Sequence, residues 1–107
     1  MAEHPVTPDG RYFVVRGRLW RRANPALETD YRFRLIKDLM RARQAVTLAS
    51  RSTDAGAKTA ARRSVNEILV ALGERGPVWW TDAAPDYSRR LVIGSPYATW
   101  FQDLTTG

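Results

Sequence analysis

The stretch Arg11–Arg22 reads RYFVVRGRLWRR: five arginines, no acid, and aromatic side chains set between them. Guanidinium groups interleaved with aromatic rings suit an anionic polymer, because the cations pair with phosphates while bases stack on the rings. Arg16 and Arg18, framed by Tyr12 and Trp20, are the candidate recognition face, with Arg21 and Arg22 in the turn beyond. Arg34, Lys37 and Arg41 follow at steps of three and four, the spacing of one helix face, and extend the candidate anion-binding set. Adjacent tryptophans on an extended chain point opposite ways, so one of Trp79 and Trp80 is core and the other exposed; Trp80 joins Tyr12 and Trp20 as a candidate stacking or interface residue.

A second cluster gathers Asp82, Asp86, Tyr87, Arg89 and Arg90. Carboxylates four residues apart on a helical turn can hold a hard cation with help from water. They can equally cap a turn and pair with neighbouring arginines, and that second reading is preferred. His4 is the only histidine, and there is no cysteine, so a catalytic triad, a multi-histidine metal site, a thiolate site and a disulfide framework all lack their parts. Ala55-Gly56-Ala57-Lys58-Thr59 resembles the end of a phosphate-binding loop but lacks the earlier glycine and a glycine directly before the lysine. No catalytic residue, metal or cofactor is expected.

The elements that must position these residues follow from periodicity. Residues 1–10 read as a loose tail closing in the turn Pro8-Asp9-Gly10. Tyr12 to Trp20 reads as one strand, with Phe13, Val15, Gly17 and Leu19 on the buried face and Tyr12, Val14, Arg16, Arg18 and Trp20 on the other. Asn24-Pro25 is a cap-and-proline start. From about Glu28 to Ser50, Leu35, Leu39, Ala42, Val46 and Ala49 trace an apolar helix stripe that Ile36 and Met40 widen. Asp54 caps a second helix with the stripe Ala57, Ala61, Val65, Ile68, Leu69 and Leu72, ending at Gly73. Two such stripes joined by a short polar link predict an antiparallel helical hairpin. Residues 89–93 fit a short strand or a helical turn, and Ser95-Pro96 opens a short aromatic helix with Tyr97, Trp100, Phe101 and Leu104.

These readings predict an α+β, mainly α fold, with a tail over 1–10 and one small domain over 11–107. The net charge of +6 lies wholly in residues 1–53, where eleven basic groups face five acids; residues 54–107 carry six of each. Fifteen Arg against two Lys fit bidentate phosphate recognition, and they fit the codon bias of a GC-rich genome equally well. No apolar run reaches the ~20 residues of a membrane span, and the first ten residues lack the apolar centre of a secretory signal, so no membrane partner and a cytoplasmic location are expected.

The runs PDGRYFVVRGRLWRRANPAL and GPVWWTDAAPDYSRRLVIGSPYATWF resemble those of a family of small bacterial proteins with no established biochemistry. The resemblance covers nearly the whole chain and implies one domain that occurs alone, with no site residues to carry over. The expected function is a non-enzymatic binding module for an anionic partner, nucleic acid first. The alternative is a protein-interaction subunit that docks an acidic protein or forms a homodimer through its N-terminal strand, which alone would need a pairing partner.

Overall fold

The computed structural model describes residues 4–106 and contains a two-stranded sheet and three α-helices, an α+β, mainly α fold. Two compact units make it up: the described residues up to Arg22 together with those from Trp80 onward, and Ala23–Trp79.

In the first unit the basic stretch is a hairpin rather than one strand. β1 (Tyr12–Val15) and β2 (Arg18–Arg21) pair antiparallel, with Val15 opposite Arg18 and Phe13 opposite Trp20. Arg16 and Gly17 form the two-residue turn at φ 52° and 78°, the positive values a type I′ hairpin requires. The usual Asn-Gly or Asp-Gly signal is absent, which is why the run reads as continuous. Reversal at this turn changes which residues share a face. Tyr12, Val14, Leu19 and Arg21 point inward and are all buried, while Phe13, Val15, Arg18 and Trp20 point outward. The expected burial of Phe13 and Val15 in preference to Tyr12 and Val14 is therefore reversed.

Both hairpin edges are covered. Val14 N–H donates to the Pro5 carbonyl and Thr7 N–H to the Tyr12 carbonyl on one edge. On the other, Leu19 N–H donates to the Arg90 carbonyl and Val92 N–H to the Gly17 carbonyl. Of the residues expected as a loose tail, 1–3 lie outside the described residues and the stretch from Pro5 to Asp9 joins the fold: Val6 bridges to Phe13, and Thr7 is buried with its hydroxyl bonded to Asp9. With both ladders occupied, the reason for a strand-paired homodimer is removed. Leu91 bridges to Arg18, Val92–Gly94 is a 3-10 turn, and α1–α3 are Thr29–Ser50, Ala55–Leu72 and Ala98–Thr106.

The second unit is the helical hairpin. α1 begins later than Asn24-Pro25 suggested: Asn24 caps a turn by accepting from Ala26 N–H, and Glu28 caps the helix by accepting from Asp30 and Tyr31 N–H. Asp54 caps α2 through Gly56 and Ala57 N–H. Leu35, Leu39, Leu69 and Leu72 form the buried cluster, flanked by Ala23, Leu27, Val65 and Ile68. Ile36 and Met40 are exposed instead of widening the core stripe.

Gly73 ends α2 at φ 89°, where a Cβ would lie 3.0 Å from Trp79 Cδ1 and 3.2 Å from the Asn24 backbone nitrogen. Gly73→Ala is expected to lower unfolding free energy by about 1–3 kcal/mol, through strain at positive φ and contact with backbone that cannot yield. Denaturant titration of the variant checks it.

Candidate nucleic-acid interface

The two faces of the β1–β2 hairpin treat their charges in opposite ways. On the inner face Arg21 is 5% exposed, and its Nη2 donates to Asp86 at 2.9 Å. Asp86 also accepts from the Ser88 N–H and hydroxyl and, at 3.4 Å, from the Tyr12 hydroxyl. Burial works to raise the Asp86 pKa, but the Ser88 hydrogen bonds and Arg21 outweigh it and hold the carboxyl below its ordinary value. Arg11 pairs with Asp82 and lies 4.0 Å from Asp9. The hydrogen bond from Arg11 is the main cause lowering the Asp82 pKa, and the same contact raises that of Arg11. Asp82 also accepts from Ala84 N–H.

Aromatic rings close this side. Tyr12 meets Trp80 and Tyr97 edge-on, each at 5.6 Å between centroids. The Arg11 guanidinium stands 4.8 Å from the centre of the Trp80 ring and that of Arg21 5.9 Å, while Trp80 Nε1 donates to the Ala84 carbonyl. Tyr12 is fully buried, its hydroxyl accepting from Tyr87 N–H, and burial pushes its pKa up to about 12. Burial, then the hydrogen bond to Asp9, raises that of Tyr97 as well.

Three candidate recognition residues therefore belong to the interior. Tyr12 and Trp80 are enclosed by rings and arginines, and Arg21 is bound to Asp86, so none presents a surface to a ligand. Asp82 and Asp86 are engaged by arginines and turn N–H groups, as the preferred reading of that cluster held. Their partners, however, are Arg11 and Arg21 from the far end of the sequence rather than Arg89 and Arg90 nearby.

The outer face keeps its charge. Phe13, Val15, Arg16, Arg18 and Trp20 line a shallow groove of about 400 Å³. Trp20 stands directly across from Phe13, and His4 stacks on Phe13 at 6.0 Å. Arg89, held at φ 70°, places its guanidinium 5.9 Å from the centre of the Trp20 ring, and its carbonyl accepts from Arg18 Nη1 at 2.8 Å. No described carboxylate forms an ion pair with Arg16, Arg18 or Arg89. Periodicity could not assign Arg89 to this face, since a hydrogen-bonded bridge across more than seventy residues carries it there.

Arg22 is exposed beyond β2 and donates to the Gly10 carbonyl. Arg34, Lys37 and Arg41 are exposed on α1 in the second unit. Among the described residues no group of three or more histidine, cysteine or acidic side chains is placed to hold a metal ion, and no helix is long and apolar enough to cross a membrane.

The inner-face tyrosines set the alkaline limit of stability. A tyrosine whose folded pKa is raised contributes stability below its unfolded value of 10 that is lost as pH climbs through the folded value. Stability is expected to fall between pH 10 and about 12, and Tyr12→Phe to flatten that fall, read by denaturant titration across the range. Asp86, shifted downward, contributes stability present above pH 3.8 and lost on further acidification; Asp86→Asn is expected to weaken that acid dependence. Compared with known proteins, the chain matches no family model, no curated protein and no solved structure.

Proposed function

We propose that this protein is a non-enzymatic binding module for single-stranded nucleic acid, acting in the cytoplasm through the outer face of the β1–β2 hairpin. One observation carries the reading: Arg16 and Arg18 line the same groove as Trp20 and Arg89 stands over the Trp20 ring, none of the three ion-pairing to a described carboxylate, while Asp9, Asp82 and Asp86 are engaged elsewhere. Bases stack on Trp20 and Phe13, and phosphates pair with the three arginines. Arg16 supports the assignment further. It occupies a positive-φ turn position better suited to Asn or Gly, and it forms no ion pair that would repay the strain. A single strand suits the face because its bases are free to stack, whereas a duplex hides them.

Three phosphate contacts predict that log affinity falls with log salt at a slope of about −2 for a single strand. Trp20→Ala is expected to weaken binding by about 1–3 kcal/mol, the usual worth of one stacked base. Arg16→Asn, which suits the turn, is expected to stabilise the fold while weakening binding. Fluorescence anisotropy with labelled 20-nucleotide RNA and DNA of mixed sequence measures the binding in all three, and denaturant titration the stability of the Arg16 variant. Absence of binding at low salt, or equal binding by the Arg16 and Trp20 variants, would overturn the reading.

A further inference from the structure

α1 carries apolar side chains on two opposite faces, and α2 covers only one of them. Leu35, Leu39, Ala42 and Ala49 face α2 and are buried. Phe33 is 60% exposed, Ile36 41%, Met40 66% and Leu48 66%. At about 100° per residue these four fall within roughly a third of the helix circumference, centred opposite the buried stripe. A helix in a two-helix hairpin needs one apolar stripe; a second is the mark of a helix that packs on both sides.

The rim of this second stripe is basic. Arg34, Lys37 and Arg41 run along one side and Arg43 stands on the other. Asp38 is the sole acid from Phe33 to Leu48, and it lies half-buried towards the α2 side. Two hollows open along the ridge, one of about 410 Å³ beside Asp30, Phe33, Arg34 and Lys37, the other of about 580 Å³ beside Met40, Arg41, Arg43 and Gln44, so two bases outnumber the one acid in the first and the second holds bases alone. They share Lys37, so they succeed one another along the helix as side chains three or four residues apart on a facing helix would require.

We propose that this face docks an acidic amphipathic helix of a partner protein, which completes a three-helix arrangement with α1 and α2. The chemistry selects this occupant. A second copy would bring like-charged rims together, Lys37 against Arg43 when two α1 helices cross antiparallel at Met40, and is repelled. Nucleic acid finds a ring for a base at Phe33 alone and gains little from Ile36, Met40 and Leu48, which make up the rest of the stripe. A lipid surface would leave the Gln44 amide, which interrupts the stripe between Met40 and Leu48, without hydrogen-bond partners among acyl chains; the Thr47 hydroxyl beside it bonds back to the Arg43 carbonyl. The matching helix has Leu, Ile or Phe at steps of three and four and Glu or Asp beside them. To cover Phe33 to Leu48 it spans about 22 Å, or four turns. This site is separate from the hairpin face and does not depend on nucleic-acid binding.

The test is a display library of 18-residue helical peptides with Leu, Ile or Phe at core spacing and every flanking position varied, selected on the full-length protein. Glu and Asp are expected to dominate the flanks of the selected peptides. A synthesised winner is expected to lose at least tenfold in affinity for Phe33→Ser/Met40→Ser, whose exposed positions leave the circular dichroism melt unchanged. The variant Arg34→Glu/Lys37→Glu/Arg41→Glu is expected to prefer the same peptide with its acids changed to Lys. No enrichment, enrichment without acidic flanks, or equal binding by the double variant would refute the proposal. So would a dimer in sedimentation equilibrium that the double variant abolishes, which would assign the face to a second copy. Sedimentation with 1:1 phosphatidylcholine–phosphatidylglycerol vesicles that requires Phe33 and Met40, with no peptide bound, would assign it to lipid.

Discussion

A guanidinium removed from water needs an anion, and Arg21 finds Asp86 sixty-five residues along the chain. Around that pair the first unit is assembled. Asp86 gathers the Tyr12 hydroxyl and both donors of Ser88, Tyr12 packs edge-on against Trp80 and Tyr97, and the guanidinium groups of Arg11 and Arg21 both lie against the Trp80 ring. A buried ion pair of this kind is a costly way to gain stability, but it is demanding about geometry. Only one register of β1 against β2 brings Tyr12 and Arg21 side by side on the same face. The pair therefore ties hairpin register to the position of the Trp80–Ser88 segment.

The same constraint sorts the positive charge. Three carboxylates, Asp9, Asp82 and Asp86, are committed to Arg11 and Arg21 or to the tyrosines beside them, which compensates the inner side. Arg16, Arg18 and Arg89 are left on the outer side with Trp20. In a chain with a formal charge of +6, which cations stay uncompensated on the hairpin thus depends on which arginines meet a carboxylate rather than on the concentration of arginine in one stretch.

The helical elements were legible because their signals are local. Asp54 as cap, Gly73 as the left-handed terminus and the Leu35–Leu39 and Leu69–Leu72 stripes each lie within a few residues of what they specify. The hairpin was not, because Arg16-Gly17 lacks the usual turn signal, and one unrecognised turn exchanges the faces of every residue around it. Tyr12 then moves from the candidate surface to the core, and Phe13 moves the other way. Ile36 and Met40 were misplaced for a related reason: periodicity shows that a helix has apolar faces but not how many of them a neighbour covers.

The sequence by itself determined the helical hairpin, the mainly α class and the basic, aromatic character of residues 11–22, since these follow from composition and from spacings within one or two turns. Which arginines are structural and which are exposed was decided only in three dimensions. Arg16 and Arg21 are alike as residues and differ in surroundings because Asp86 reaches one and no described carboxylate reaches the other. Charge compensation depends on distances of a few ångströms, and between residues 11–22 and 82–91 those distances are set by the fold alone.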